Sequence, residues 1–498
     1  MDSQPIPIIL YHLSLASSSR GLPISAATLL PHVHAALSTL LPAQAHLFAR
    51  FTDVHSAAPG LAFVPEVDVR RMVLVEEVGE EEGGVDDVLE KVMTQPLVDL
   101  SEAEDEAEPL PPWRALLFVP PSSSGAGDKT SFHLGLIGHH TLFDGLALLN
   151  LTTLLLEHFA ASLSAPTPDP APPTTIPLPP NPTFPPSLDS LVSLKPSLRT
   201  LVPVVFNEVL LPLLPAFLRP APAVAGPKLW VGSGTSTSLP HPRTKRHYTH
   251  TLPSSLTVPL LQACKANGTT LTSVLHTLIG RAIHSLSLAF HPQMEVEVRG
   301  NTALSLRPPS LLDSASTGGT YVGSFTHIVP APSPTPSPDP EAIWTDARAH
   351  GKALRAPSVR AQAYQTWGML SYIPSHPTDP TRTGWPAFFL PKTDPEKWEV
   401  SFEISNLGRA GAPLPVGLSW AEGGRGVLFS QAAQAMGPAV VVSVIGWEHG
   451  LTLGVAWEEG VFSEGDEGRK EVRGLMSVVE GEMRMLVGGE AEGVLGWE

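Results

Sequence analysis

The stretch Ser131-Phe-His-Leu-Gly-Leu-Ile-Gly-His-His-Thr-Leu-Phe-Asp-Gly-Leu-Ala147 is the most informative part of this sequence. Its first eight residues predict a strand, and the leucine spacing that starts after Gly145 predicts a helix. A strand that passes through a glycine-bounded turn into a helix projects the side chains of the turn out of the sheet, where α/β proteins commonly place their chemistry. We therefore expect His139, His140 and Asp144 to lie at the edge of a crevice.

Each residue of this turn has a structural and a functional interpretation. His140 is our candidate for a general base, because the unperturbed pKa of histidine, about 6.5, leaves the ring mostly neutral at pH 7. For His139 we favour a buried side chain that is hydrogen-bonded to the main chain. Asp144 belongs to the candidate catalytic motif, but we favour a scaffolding role as helix cap or ion-pair partner. Gly145 is expected to let the backbone turn tightly.

The remaining sequence predicts two α/β units joined by a proline-rich connector. Helical and strand patterns alternate through residues 1–165, which we assign to an N-terminal domain that carries the histidine motif. Residues 166–245 form the predicted crossover, which opens with 11 prolines in the 21 residues from 166 to 186. Residues 246–498 form the predicted C-terminal domain, with a long helical pattern that breaks at Asn267-Gly268 and is followed by strands.

The apolar stretch from Leu201 to Leu218 within the crossover leaves three alternatives open. Its three prolines, together with Asn207 and Glu208, argue against a membrane-spanning helix. A buried helical hairpin is the favoured interpretation. A lid, or a surface that contacts lipid or an apolar substrate, is the alternative.

Composition excludes several classes of function. Among 498 residues, 31 are Lys or Arg and 48 are Asp or Glu, and the net charge of -17 makes a nucleic-acid partner improbable. A single cysteine, Cys264, excludes an intramolecular disulfide and any multi-cysteine metal site, and it fits a reducing, cytoplasmic compartment. We find no histidine spacing typical of a catalytic metal and no glycine-rich nucleotide motif, so neither a metal nor a tightly bound cofactor is predicted.

The segment from His139 to Gly145 resembles the HHxxxDG motif of the chloramphenicol acetyltransferase-like superfamily. That superfamily includes fungal alcohol acetyltransferases, plant BAHD acyltransferases and the condensation domains of peptide synthetases. Four further segments resemble those of the fungal alcohol acetyltransferases in order and spacing: Pro112-Trp113-Arg114, Lys265-Ala-Asn-Gly-Thr-Thr-Leu-Thr, Leu306-Arg307-Pro308 and Ser405-Asn406-Leu407-Gly408. The DFGWG signature of the plant branch is absent.

The resemblance implies two chloramphenicol acetyltransferase-like domains, each a mixed β-sheet flanked by helices, with an active-site tunnel between them. It implies acyl-CoA as a co-substrate and a hydroxyl acceptor that reaches His140 from the other side. His140 would take the hydroxyl proton while the oxygen attacks the thioester. No acyl-enzyme is expected, since the chain lacks a G-x-S-x-G nucleophile elbow. The resemblance also implies that Asp144 points away from His140 and pairs with Arg307.

Further residues are candidates for ligand binding. Ser405 and Asn406 lie just beyond a predicted strand, where they could donate hydrogen bonds to the oxyanion, hold the ligand or form an ordinary turn. We expect Thr141 and Phe143 to shape the walls of the pocket. The phosphates of coenzyme A need cations, for which the candidates are Lys245 and Arg246, within the basic run Arg243-Thr-Lys-Arg-His247, and Lys265; a solvated charged loop is the alternative for that run.

These expectations favour a monomeric acyl-CoA-dependent O-acyltransferase, most simply an acetyltransferase, that acts on a hydrophobic alcohol or secondary metabolite. A cytoplasmic location is expected, and peripheral contact with a membrane is left open as an alternative. One alternative is a condensation- or cyclisation-type enzyme with the same histidine, although the chain has no carrier domain of its own. The other is a catalytically silent member that binds a metabolite or a partner.

Overall fold

The chain forms a mixed α/β structure. Its computed structural model describes residues 6–16, 24–53, 60–79, 83–95, 97, 110–121, 131–165, 173–206, 210–211, 214–215, 227–232, 243–290, 292–293, 295–312, 317–332, 339–373, 390–411 and 413–488. The strands are β1 (Pro7–Leu15), β2 (Ala49–Thr52), β3 (Gly60–Phe63), β4 (Glu66–Asp68), β5 (Val73–Glu77), β6 (Trp113–Val119), β7 (Ser131–Gly138), β8 (Thr175–Pro177), β9 (Lys228–Leu229), β10 (Lys245–Pro253), β11 (Val296–Ser305), β12 (Val322–Val329), β13 (Phe402–Arg409), β14 (Leu418–Trp420), β15 (Val427–Gln431), β16 (Val440–Trp447) and β17 (Gly450–Glu458). The α-helices are α1 (Ala26–Leu40), α2 (Gly84–Thr94), α3 (Gly145–Ser164), α4 (Leu188–Leu191), α5 (Leu198–Val205), α6 (Ser254–Ala266), α7 (Leu271–Phe290), α8 (Pro309–Leu312), α9 (Pro340–Leu354), α10 (Pro357–Met369) and α11 (Gly465–Leu486).

The first sheet has six strands in the order β14-β1-β7-β6-β5, with β15 also paired to β1. Strands β5 and β6 are parallel and the other pairs are antiparallel, so the sheet is mixed. Helices α1 and α3 cover one face and α2 covers the other. Because both faces are buried, β7 is a nearly continuous apolar run. Gly135 lets β1 approach closely, since a Cβ there would lie 2.0 Å from the carbonyl oxygen of Ile9.

The second sheet has seven strands in the order β10-β17-β16-β13-β11-β12, with β9 paired to β11. Strands β16, β13 and β11 are parallel to each other, whereas the outer pairs β10-β17, β17-β16 and β11-β12 are antiparallel. Helices α6, α7, α9 and α11 pack against one face in a single apolar core. Two mixed sheets flanked by helices confirm the predicted fold class.

Two strands from the C-terminal half of the chain complete the first sheet. β14 and β15 pair with β1, and Phe429 of β15 is buried in the core of the first sheet. Without them β1 would be an edge strand with unpaired main-chain groups, a state that proteins avoid. The chain thus leaves the second sheet after β13, extends the first sheet with β14 and β15 and returns as β16, whereas a C-terminal domain of residues 246–498 stays a prediction.

The predicted break in the long helical pattern lies where α6 ends and α7 begins. Gly268 has a φ of +65°, which favours glycine. Thr270 accepts a hydrogen bond from the main-chain N–H of Ser273 at 3.3 Å and so caps α7. Near the start of the chain, α1 ends at Leu40 and two short 3₁₀ turns lead from it to β2.

The crossover runs along the second half of the chain. The main-chain N–H of Ser197 donates to the side chain of Gln365 on α10, at 3.1 Å. Helix α5 has no buried residue, so the buried helical hairpin that the sequence predicted is wrong for this helix. Val202, Val204, Phe206 and Leu210 of the predicted stretch are exposed. Part of the stretch, including 207–209 and 216–218, lies outside the described residues.

Among the helices that the structure describes, α3 alone has the length and apolar composition to cross a membrane. Core helices pass the same test, and α3 is covered by α1 and by the first sheet. Leu148, Leu155 and Phe159 are completely buried there. The apolar composition of α3 is therefore accounted for by its position in the core.

Candidate active site

The motif turn, residues 139–144, connects β7 to α3 and lies where the two halves of the chain meet. Three hydrogen bonds close it: the main-chain N–H of His139 donates to Pro112 at 2.9 Å, and those of Leu142 and Phe143 donate to the carbonyl of His139 at 2.9 and 3.2 Å. The turn therefore begins at the end of β7, as the sequence predicted. Main-chain hydrogen bonds therefore fix the conformation of the turn from which these side chains project.

Asp144 is fully engaged in scaffolding contacts. Its Oδ1 accepts a hydrogen bond from the main-chain N–H of Ala147 at 2.9 Å, which caps α3. Arg307 donates to both carboxylate oxygens at 2.7 Å, and the main-chain N–H of Tyr321 donates to Oδ2 at 3.1 Å. The expected pairing of Asp144 with Arg307 is thus present, and both structural roles weighed for Asp144, cap and ion pair, occur together.

The segment of residues 318–321, just before β12, clasps the motif turn from the second half of the chain. Gly319 exchanges main-chain hydrogen bonds with it, since its N–H donates to Leu142 at 2.7 Å and its carbonyl accepts from Asp144 at 3.1 Å. The hydroxyl of Thr320 donates to the carbonyl of His140. Sequence reasoning missed this clasp, for which the glycine pair Gly318-Gly319 is the only local signal.

His139 is a structural histidine in this geometry. It is 8% exposed, and its Nδ1 accepts a hydrogen bond from the main-chain N–H of Thr141 at 3.2 Å. The ring of Phe51 packs against it edge-on, with centroids 4.8 Å apart. Burial, with the positive charge of a protonated His140 second, lowers the pKa of His139 to about 4. At neutral pH the ring is therefore an uncharged support of the turn.

His140 is half-buried at the same turn and contacts its own main-chain carbonyl and the side chain of Gln431 through hydrogen bonds. Burial lowers the pKa of His140 below its ordinary value. Its two hydrogen bonds and the negative charge of Asp144 act in the opposite direction. The net result is an imidazole that is neutral at pH 7 and can accept a proton from a hydroxyl group.

Gln431 is the partner of His140 that the sequence did not reveal. It is the last residue of β15, is 5% exposed, and its Nε2 lies 3.4 Å from the hydroxyl of Ser443 on the second sheet. Only the insertion of β15 beside β1 brings it to the motif turn, 291 positions after His140. A glutamine at a strand end has no local pattern that could have identified this role.

Gly145 serves close packing rather than a tight turn. Its φ is not in the left-handed region. A Cβ at this position would lie 2.7 Å from Leu407 of β13 and 3.1 Å from Phe429 of β15. The glycine therefore lets both strands from the second half of the chain reach the start of α3, which corrects the turn that the sequence suggested.

Ser405 and Asn406 lie within β13 and not in a loop beyond it, so their side chains point to opposite faces. Ser405 is paired in register with Ser443, which puts it on the face toward Gln431 and the motif turn. Asn406 instead donates to the hydroxyl of Thr272 on α7 at 3.0 Å and accepts from its own strand. Strand alternation thus turns Asn406 away from His140 and keeps Ser405 on the side of the site.

Polar residues continue along this face of the second sheet. Register pairs Glu403 with Asn301 and Asn301 with Thr326, whose hydroxyl donates to the Asn301 side chain at 2.6 Å. Burial raises the pKa of Glu403, and a hydrogen bond from Asn301 acts against that shift. Exposure rises from the buried Ser405 through Glu403 and Asn301 to the exposed Thr326. The face forms a polar path from the motif turn to solvent.

Thr141 and Phe143 do not shape a common pocket wall. Thr141 is exposed, and its main chain supports His139. Phe143 is completely buried in the core of the first sheet, with its ring 5.8 Å from that of His46. The expectation for Phe143 is wrong because the side chain anchors the turn from beneath.

The basic run before and within β10 is neutralised by carboxylates. Lys245 pairs with Glu458, and Arg246 pairs with Glu459 and, at 3.1 Å, with Glu90 of α2. The structure therefore places both cations in ion pairs between elements, contrary to the role in phosphate binding that the sequence suggested. Lys265, at the end of α6, is exposed and forms no ion pair with any residue that the structure describes.

Comparisons with known proteins are consistent with this geometry. No model of a known protein family matches the chain. A protein of Aspergillus fumigatus named as a probable alcohol acetyltransferase is 25% identical over 473 residues, which cover 91% of this chain and 90% of the relative.

Solved structures share the fold. The trichothecene 15-O-acetyltransferase of Fusarium sporotrichioides aligns with a TM-score of 0.64 at 13% identity, covering 98% of this chain and 91% of that chain. The first condensation domain of the calcium-dependent antibiotic synthetase aligns with a TM-score of 0.53 at 13% identity, covering 99% and 94%. At such identities the two structures show a common architecture alone.

Proposed function

We propose that the chain is an acyltransferase of the chloramphenicol acetyltransferase-like superfamily and that it transfers an acyl group from acyl-CoA to the hydroxyl of a hydrophobic alcohol. The acyl group in this proposal is acetyl. The observation that carries the proposal is that Asp144 and His140, in the same motif turn, have different environments. The carboxylate of Asp144 accepts hydrogen bonds from Arg307 and from the first turn of α3, whereas His140 is half-buried and its ring is neutral at pH 7.

His140 acts as the general base of the proposed reaction. The acceptor oxygen attacks the thioester carbonyl carbon while the imidazole takes the hydroxyl proton. The tetrahedral intermediate then breaks its carbon–sulfur bond, and the imidazolium returns the proton to the departing sulfur, which leaves as the free thiol of coenzyme A. Each turnover thus restores neutral His140, and no residue is acylated.

Supporting roles follow from position. Ser405, on the face toward Gln431, is our candidate to donate a hydrogen bond to the oxyanion or to hold the ligand. Asn406 takes no part, since it faces α7. Lys265 is our candidate for contact with the phosphates of acyl-CoA, because it is an exposed lysine at the end of α6 that is free of ion pairs to described residues.

The test is incubation of the purified protein with acetyl-CoA and a panel of alcohols of increasing hydrophobicity. We expect release of free thiol that depends on the alcohol, and an ester of matching mass. The same assay with His140→Ala separates enzymatic transfer from background hydrolysis. Absence of any ester across the panel with folded wild-type protein would contradict the proposal, as would ester formed equally by His140→Ala.

A further inference from the structure

Helix α5 in the crossover carries an apolar surface that the described chain leaves uncovered. Leu198 and Val202 are 75% and 60% exposed, and Phe206, the C-cap residue that continues the same spacing of four residues, is 45% exposed. Side chains four positions apart line one side of a helix. These three residues are the apolar stripe of the crossover, in which large apolar side chains are exposed together rather than singly.

The opposite side of α5 is fixed to the second half of the chain by polar contacts. The hydroxyl of Thr200 donates to Gln365 on α10 at 2.5 Å, and the main-chain N–H of Ser197 donates to the same oxygen. Because Thr200 lies about 160° around the helix from the centre of the apolar stripe, this anchor directs the stripe away from the protein.

The charge around the apolar stripe is opposite to that of the whole chain. Arg199 on α5 and Lys195, three residues before α5 begins, are exposed, and neither forms an ion pair within the described part of the chain. From Lys195 to Lys228 the sequence has four basic residues and a single acid, Glu208, although the chain as a whole carries a net charge of -17. An apolar stripe with cations at its border is typical of helices that lie in the interface of a bilayer.

We propose that α5 docks the protein on an anionic lipid surface, with the apolar stripe in the headgroup and acyl-chain boundary and Lys195 and Arg199 on the lipid phosphates. A second copy of the chain is a poorer occupant. A two-fold contact would put two stripes with the same positive border against each other. An anionic bilayer accepts both the apolar side chains and the cations.

The crossover that carries α5 also contacts the segment beside the motif turn. The hydroxyl of Tyr321 donates to the carbonyl of Pro186 in the crossover at 2.6 Å, and its main-chain N–H donates to Asp144. Docking through α5 therefore holds the site near the bilayer, from which an apolar alcohol can partition. This consequence rests on the proposed function, whereas docking itself does not.

The test is flotation with vesicles of phosphatidylcholine alone and of phosphatidylcholine mixed equally with phosphatidylserine. We expect wild-type protein to float with the anionic vesicles and to be released by salt. The triple substitution Leu198→Ser, Val202→Ser and Phe206→Ser should weaken binding about tenfold or more, because it removes the apolar stripe. Lys195→Glu with Arg199→Glu should abolish the preference for anionic vesicles.

A matched control replaces Leu261 and Val416 by serine, since both are exposed and lie outside α5. It should float like wild type. Wild-type protein that binds neither vesicle, or a triple variant that binds as well as wild type, overturns the proposal. If the wild type instead sediments as a dimer and the triple variant as a monomer, the apolar stripe binds a second copy of the chain and the proposal is wrong. Vesicle binding is measured without substrate, so a failure to form ester leaves this result unaffected.

Discussion

Arg307 holds Asp144 with two hydrogen bonds of 2.7 Å, one to each carboxylate oxygen. The arginine is 4% exposed and the aspartate 1%, so solvent screens the pair little. The two residues come from different halves of the chain and from elements that meet at the motif turn. The pair therefore fastens the turn that carries His140 to the second half of the protein.

We predict that Asp144→Asn and Arg307→Met each lower the free energy of unfolding by about 3 to 5 kcal/mol, because each leaves a buried charge without its partner. The double variant should lose much less than the sum of the two, since it removes both charges. Denaturant unfolding and ester formation should be measured for all four proteins. Additive losses would show that the two side chains do not act as a pair.

For His140→Ala we expect a folded protein whose turnover falls about a hundred- to ten-thousandfold, the range typical of a lost general base. The pH profile of kcat/KM gives a second measure in the wild type. Activity requires the neutral ring, and burial lowers the pKa of His140, so activity should persist below pH 6.5 and be lost only as the pH falls through the lowered pKa. A limb above pH 6.5 would refute the assignment.

His139→Ala should instead lower the melting temperature, since it removes a buried ring that supports the turn at Thr141 and contacts Phe51. The acid limb of the pH profile should stay where it is in the wild type, because the base is unchanged. Circular dichroism melts and the pH profile of the surviving activity check both points. Complete loss of activity in a protein that is still folded would instead make His139 the base.

Gln431→Leu tests the positioning of His140. The hydrogen bond to Gln431 raises the pKa of His140, so its removal should move the acid limb of kcat/KM to lower pH and reduce kcat. Gln434→Leu, three residues later, is the control and should leave the limb in place. If Gln431→Leu lowered stability with no movement of the limb, its role would be packing alone.

Lys265→Met and Lys245→Met separate substrate binding from structure. Lys265 is exposed, so its loss should raise KM for acetyl-CoA several-fold without changing the melting temperature. Lys245 is paired with Glu458, whose side chain is 2% exposed, so its loss should lower the melting temperature and leave KM unchanged. If Lys245→Met instead raised KM and Lys265→Met did not, the basic run of β10 would be the phosphate-binding site.

The order of elements around the motif turn could be predicted because its signals are local. A strand pattern, two histidines, Asp144 as a cap and a leucine-spaced helix follow one another within 17 residues, and the structure has the same order. The pairing with Arg307 came from the family resemblance, since nothing in the sequence near either residue specifies it. Local patterns thus located the candidate base but not the residues that hold it.

The wrong expectations share a physical cause, which is that partners come from distant strands. The positive charge of the basic run suggested a phosphate site, but Glu458 of β17 and Glu90 of α2 form ion pairs with its cations. Gln431 reaches His140 only because β15 leaves its neighbours in sequence to pair with β1. Neither pairing has a periodic signal in the sequence.

The placement of β14 and β15 beside β1 sets the order in which the protein can be completed during synthesis. The ribosome makes the core strands of the first sheet early, but that sheet has an open edge until residues 418–431 have emerged. Until then the apolar edge at β1 is available for wrong pairing, and His140 lacks Gln431. An expression fragment that stops before Gln431 would therefore lack both the strands that close the first sheet at β1 and the side chain that forms a hydrogen bond with His140.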